Sequence, residues 1–302
     1  MFDLKRSDFW RRYVPFWNPD TPVGFREIEH QRYLIDGLHV RSMLSSLELT
    51  LLYGLARDYW SGVGEIVDTG CLYGLTSRCF AEGILANKFA TAEKKFERIF
   101  SYDLFLAEDY DFYASDSKTF HSGSLLPDFI RLNQKYLNQI VPCAGDFMKM
   151  RWGSKPIEIL MIDAAKSWEL NHAHVSRLFP HLLPGRSIVI QQDYLNWHEY
   201  WTILTMEYFA NKFELQQVVY GCSAVFLCTA PIEQAEANEA IGALPTDRKI
   251  SLLMSAISKA PAECLQAMKC ALASLLIDEG RIESAGSVID VNGGDKMCQV
   301  AA

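Results

Sequence analysis

Residues 66–77 read IVDTGCLYGLTS. Ile66 and Val67 begin a short apolar run that closes on Asp68, as a buried strand ending in a carboxylate would. Gly70 and Gly74 then interrupt the chain, and LTSRCFAEGILAN (75–87) resumes with helical spacing. Strand, glycine turn and helix in that order form the unit from which nucleotide-binding α/β sheets are built, because the free N–H groups of the helix start can hold an anion. The dinucleotide fingerprint G-x-G-x-x-G is absent: the first close glycine pair is missing. Asp68 also stands at the strand end, where a pyrophosphate would be repelled and a ligand with a positive group welcomed. For this stretch alone, a tight turn without a ligand is the alternative reading.

The same alternation extends on both sides. SSLELTLLYGLARDYW (45–60) has a cap candidate in Ser45 or Ser46 and reads as a helix. EIVDTG, RIFSYDLF (98–105), QIVPCAGDF (139–147), IEILMIDAA (157–165) and RSIVIQQDY (186–194) read as strands. LPDFIRLNQKYL (126–137), HAHVSRLFPHL (172–182) and HEYWTILTMEYFANKF (198–213) read as helices. Nearly all-apolar central strands between helices predict a parallel sheet covered on both faces. FELQQVVYG and SAVFLCTA have only Gly-Cys between them, too short for a parallel crossover, so they must pair as an antiparallel hairpin. The expected fold is a doubly wound, mostly parallel seven-stranded α/β sheet ending in that hairpin. Residues 1–44 form an irregular N-terminal segment, 45–231 the main domain, and 232–302 a helical appendage. The apolar stripes of the appendage suit packing on the domain or a homodimer contact. The polar and aromatic segment 106–125 is a long loop of the kind that shapes a substrate pocket.

Composition narrows the partners. The 302 residues carry a net charge of -8 with no long basic run, which argues against a nucleic-acid backbone. Hydrophobic residues at 49 % and charged residues at 22 % suit a protein with a real core. The eight cysteines match neither a zinc ribbon nor a compact disulfide framework and read as buried free thiols. MFDLKRSDFWRRYVPFW at the start does not read as a signal peptide, and no apolar run reaches transmembrane length, so a cytoplasmic protein without membrane contact is expected.

The order acid-x-Gly-x-x-x-Gly-x-Thr/Ser at 68–77 resembles motif I of class I S-adenosylmethionine (SAM) dependent methyltransferases, and the resemblance covers about residues 45–230. It implies a Rossmann-like methyltransferase sheet and SAM as cofactor. Asp68, Gly70 and Gly74 would then surround the methionine part, with Thr76 and Ser77 at the helix start holding its carboxylate. Asp103 would bind the ribose hydroxyls, and Asp146, in Gly145-Asp146-Phe147, would meet the adenine amine.

Residues 157–194, IEILMIDAAKSWELNHAHVSRLFPHLLPGRSIVIQQDY, are similar to the macrocin-type branch of small-molecule and sugar O-methyltransferases. Asp163, Ser167-Trp168, Leu183-Pro184-Gly185 and Asp193-Tyr194 carry the match. It implies an acceptor hydroxyl on a small molecule, saccharide or natural product. Asp163, also beside the cofactor, and Asp193 would hold a Mg²⁺ ion, with Gln192 as a weak third ligand. Two residues depart from the pattern: Lys166 stands where a histidine or another charged group is usual, and Gln192 where a second carboxylate or histidine is. Lys166 is read as a base, as a charge partner of Asp163 or Asp193 replacing the metal's charge, or as a solvated lysine at a helix start. His198, on the loop after Asp193, could overhang the site. Trp168, Trp197 and Trp201 are pocket or core residues. A competing reading is a catalytically degenerate member acting as a binding or dimerisation module. A nicotinamide oxidoreductase fits neither the glycine loop nor the terminal hairpin.

Overall fold

The computed structural model describes residue 42 and residues 44–106, 123–153, 155–219 and 222–288. The expected N-terminal segment, but for Ser42 and Leu44, most of the long loop 106–125 and the last residues of the C-terminal region lie outside the described residues.

The chain opens with α1 (Ser46–Gly54), whose Ser45 cap is a full capping box: the Glu48 N–H donates to Ser45 Oγ (3.3 Å) and the Ser45 N–H to Glu48 Oε2 (2.7 Å). The last turn, Leu55–Tyr59, widens into a π-helical turn. Then follow β1 (Glu65–Thr69), α2 (Leu75–Ala86), β2 (Ile99–Asp103), α3 (Leu126–Asn133), β3 (Ile140–Ala144) and β4 (Ile157–Ile162). Next come α4 (Trp168–Leu178), β5 (Ile188–Gln191), α5 (Trp201–Tyr208) and the hairpin β6 (Phe213–Val218) and β7 (Ala224–Cys228). The C-terminal helices are α6 (Gln234–Ala237), α7 (Thr246–Lys259), α8 (Leu265–Asp278) and α9 (Ile282–Val288).

The sheet order is β3-β2-β1-β4-β5-β7-β6. The first five strands are parallel, while β7 runs antiparallel to both β5 and β6. The chain therefore has the doubly wound class I methyltransferase fold that its sequence resembles. Strand periodicity divides the core in two. Ile66, Ile99, Ile159 and Ile188 pack against α1, α2 and α3, and Val67, Leu160, Ile162 and Val189 face α4 and α5. The second core continues without a break into Leu253 of α7 and Ala271 and Leu275 of α8, so the C-terminal helices form an outer layer on that face. Among the described residues no helix is long and apolar enough to cross a membrane.

Two element bounds differ from expectation at places that matter. Helix α4 starts at Trp168, four residues before His172, because the Leu170 N–H donates to the Ser167 side chain (3.2 Å), a cap that lets the helix begin early. Strand β5 stops at Gln191, and Asp193 lies two residues past it in the left-handed region at φ 59°. An aspartate tolerates that conformation better than most side chains.

Candidate functional site

The carboxyl ends of β1, β2, β3, β4 and β5 lie along one edge, where open α/β sheets place ligands. A cavity of ≈ 290 Å³ runs along it, from Gly70–Leu72, past Asp103 and Gly145–Phe147, to Asp163 and Lys166.

The glycine loop is pinned by close approaches. A Cβ on Gly70 (φ 82°) would stand 2.7 Å from the Asp163 carbonyl oxygen, and one on Gly74 (φ 84°) 2.4 Å from the Phe129 ring. Only glycine fits either place. Asp68 sits behind this loop rather than on the cavity wall. It is fully buried, and its Oδ2 accepts from Thr76 Oγ1 (2.7 Å) and Ser77 Oγ (2.5 Å). Its Oδ1 has no partner, and burial, only partly offset by those two hydroxyls, lifts its pKa to about 6. The hydroxyls of Thr76 and Ser77 are thus turned inward to hold Asp68, while the expectation of a cofactor carboxylate concerns the N–H groups of this helix start. Thr76 still lines the cavity and Ser77 does not.

Asp103 lines the cavity and organises its wall. Its Oδ2 accepts the Leu72 N–H (2.8 Å) and its Oδ1 the Phe105 N–H (2.7 Å). A carboxylate offers about four acceptor positions, so each oxygen keeps capacity for a further donor. Asp146 also lines the cavity but caps its own turn: Oδ1 accepts the Met148 N–H (2.8 Å) and Oδ2 lies 3.3 Å from Lys149 Nζ. The Met148 N–H, more than the lysine, holds its pKa below the usual carboxylate value. Phe147 follows, stacked on His174 at 3.9 Å and edge-on to Tyr102. His174 is fully buried; Nδ1–H donates to Leu170 O (2.6 Å) and Nε2 lies 3.1 Å from Thr69 Oγ1. Burial lowers its pKa to about 4, so the imidazole is neutral.

At the far end the structure brings Asp163, Asp193 and Lys166 together and adds Glu199. Lys166 Nζ lies 3.2 Å from Asp163 Oδ1, in hydrogen-bonded contact with Asp193 Oδ2, and 3.6 Å from Glu199 Oε1. Burial opposes the lysine's charge, but Asp163 and Asp193 outweigh it and raise the ammonium pKa above the usual lysine range. The ion pairs with Asp163 and Asp193 thus favour the charged form of Lys166. One ammonium cannot neutralise three carboxylates, and burial lifts the pKa of Asp163 to about 8 and of Glu199 to about 7. The Trp201 indole N–H donates to Ala165 O (2.6 Å), anchoring the loop that carries Asp163 and Lys166. The Gln192 side-chain oxygen is buried without a partner, while the residue's backbone N–H donates to Ile162 O (3.0 Å). His198 is exposed and lies against the Trp197 ring, outside the cluster. Trp168 packs between Trp201, Tyr200 and the backbone of Gly242. Sequence reasoning missed Glu199 and His174. An acid six residues after Asp193 was visible, but not that the turn would bring it back to Lys166.

No family model matches the chain, and no curated protein matches it. Solved structures do resemble it. The O-methyltransferase NovP is 16% identical over 64% of this chain and 84% of its own, with a TM-score of 0.47. Cofactor-bound Rv0187 from MTB is 14% identical over 71% of this chain and 95% of its own (TM-score 0.43). The O-methyltransferase from Bacillus cereus in complex with SAH is 13% identical over 71% and 93% (TM-score 0.41).

Proposed function

We propose that the protein is a SAM-dependent methyltransferase that methylates a hydroxyl of a small molecule, saccharide or natural product. The observation that carries this reading is the single cavity that joins the glycine loop and Asp103 to Asp163 and Lys166, so that a cofactor end and a reacting end share one space. Asp103 has acceptor capacity left for a pair of ribose hydroxyls. Gly145–Phe147 lines the stretch where the resemblance puts an adenine, and the acid-rich lining suits a ligand carrying an ammonium and a sulfonium.

SAM, when bound, supplies a methyl group on a sulfonium. The chain's own residues bring the acceptor oxygen to it. An alkyl hydroxyl is a poor nucleophile until its proton has somewhere to go. Asp163, on the cavity wall, takes that proton in its ionised form, whose share rises as pH climbs through about 8 because burial lifts its pKa there. The neighbouring Lys166 ammonium stabilises the charge that develops on the acceptor oxygen. Most of the remaining gain is positional, from holding the two reactants in line.

Isothermal titration tests the cofactor claim: SAM is expected to bind one site per chain in the micromolar range. No heat at millimolar SAM, with the protein folded by circular dichroism, rejects it. Release of label from methyl-labelled SAM onto a panel of polyols, sugars and phenols then tests transfer. SAM binding without transfer to any acceptor would favour a degenerate member that keeps only the fold.

A further inference from the structure

The Mg²⁺ ion that the macrocin-type resemblance attaches to the acceptor end does not fit these residues. Mg²⁺ demands close to six oxygen ligands at about 2.0–2.1 Å in octahedral array. Here the oxygens of Asp163 and Asp193 that converge do so on the Lys166 ammonium, and the Gln192 oxygen, the weak third ligand, is buried without a partner. Among the described residues no group of three or more His, Cys, Asp or Glu side chains is placed to hold a metal ion.

We propose that Lys166 is the resident cation of the acceptor site, that Glu199 completes the anionic cage around it, and that the site works without a divalent metal. The proposal rests on the methyl-transfer reading for what the cation is used for, but not for the cation's presence.

Three separate segments build the cage. Asp163 follows β4, Asp193 follows β5, and Glu199 closes the turn before α5. The lysine is fixed between two anchored neighbours: Ala165 O accepts the Trp201 indole N–H, and Ser167 caps α4. An ammonium has three N–H donors. Asp163 and Asp193 take two of them. Glu199, at 3.6 Å, supplies charge but lies beyond hydrogen-bond length. The third donor is left for an acceptor oxygen, and Lys166 lines the cavity with its side chain 42% exposed, which gives that oxygen access. A divalent ion in this place would grip two hydroxyls and fix their geometry; a lysine donates to one, so a vicinal diol is not required of the acceptor.

Room-temperature electron paramagnetic resonance of Mn²⁺ reads the difference without needing the acceptor. Wild-type protein is expected to leave the free-Mn²⁺ signal unchanged up to millimolar concentration. Removing the ammonium in Lys166→Ala or Lys166→Gln leaves the acids Asp163, Asp193 and Glu199 without their cation and their side chains free to rearrange around another, and either variant is expected to bind Mn²⁺ at least tenfold more tightly than wild type. Adding Glu199→Gln is expected to lower that new affinity at least tenfold. Micromolar Mn²⁺ binding by the wild type would overturn the proposal. So would both lysine variants, folded by circular dichroism, binding Mn²⁺ no better than wild type. SAM titration of the same samples keeps the readings apart: absence of SAM binding with the expected Mn²⁺ pattern defeats methyl transfer and leaves the lysine's place as cation intact.

Discussion

Leu72 and Phe105 both sit in the left-handed region, at φ 49° and 50°. That conformation costs a side chain with a Cβ about 1–2 kcal/mol. Both residues donate their N–H to the one carboxylate of Asp103, and both conformations serve the cavity wall. Charge-assisted hydrogen bonds of this kind contribute about 1.5–3 kcal/mol each, enough to offset the strain. Asp103→Ala is therefore expected to lower stability by roughly 2–4 kcal/mol in urea titration and SAM affinity more than tenfold. Asp103→Asn, which keeps one acceptor oxygen, should fall between. Equal stability of Asp103→Ala and wild type would remove Asp103 from this organising role. The place of Asp103 was legible as an acid closing an apolar strand. Its two backbone donors were not, because leucine and phenylalanine at positive φ violate local preference, and such violations gather at functional sites. Asp193 is a parallel case: the strand RSIVIQQDY was expected to carry it, but the chain leaves the sheet at Gln191, and a turn aims the carboxylate at Lys166.

His174 ties three elements together: α4, on which it sits, the end of β1 through Thr69, and the turn carrying Phe147. Its place in HAHVSRLFPHL put it on a helix, but sequence gave no sign of its aromatic partner Phe147. The fold favours its neutral form. Its ordinary pKa of 6.5 is lowered to about 4, chiefly by burial. A depressed folded-state pKa means that the stabilisation is complete above the unfolded value and is lost as pH falls towards the folded one. The window is thus pH 6.5 down to about 4, and the full linkage is about 3 kcal/mol. Asp68 acts in the opposite sense, because its pKa is raised from 3.8 to about 6 and its contribution is lost as pH rises through that range. The wild-type profile alone would mix these with Asp163 and Glu199, whose pKa values are raised to about 8 and about 7. The difference between wild type and His174→Phe separates them: the stability advantage of wild type at pH 7.5 is expected to shrink steadily down to pH 4.5. An advantage that stays constant across the range would show that His174 does not titrate with unfolding. The parallel strands were legible for the usual reason: β1 to β5 are mostly apolar runs with an acid or a glycine within two residues of the strand end.

At the scale of the molecule, the change from alternating strands to helices near residue 231 reads in the sequence as the edge of an appendage. In the structure it is a change of element type without a gap in the core. Leu252, Leu253 and Ala256 of α7 and Met268, Ala271 and Leu275 of α8 are buried in the same cluster as Leu160, Ile162 and Val189 of the sheet, with Ile203 and Met206 of α5 between the layers. Polar ties run the same way: Tyr200 donates to Asp278 Oδ2 (2.7 Å), and Ser255 to Glu207 Oε1 (2.6 Å). Lys249 pairs with Glu279 and lies 6.0 Å from the Trp168 ring, next to the reacting loop. The apolar stripes of α7 and α8 are thus spent largely inside one chain. Period-3.6 patterning reveals that a helix has an apolar face but not what covers it, which is why packing and dimerisation looked equally open. Burying one large aliphatic side chain contributes about 1.5–3 kcal/mol, and a whole domain is stable by only about 5–15 kcal/mol. Removing residues 232–302 strips the outer face of α5, where Ile203 and Met206 lie between the layers, of the apolar cover that α7 and α8 give it. The truncated chain 1–231 is therefore expected to be insoluble or to melt without a cooperative transition. A soluble 1–231 fragment with a sharp unfolding transition and SAM binding equal to the full chain would show instead that the sheet is complete without its outer helices.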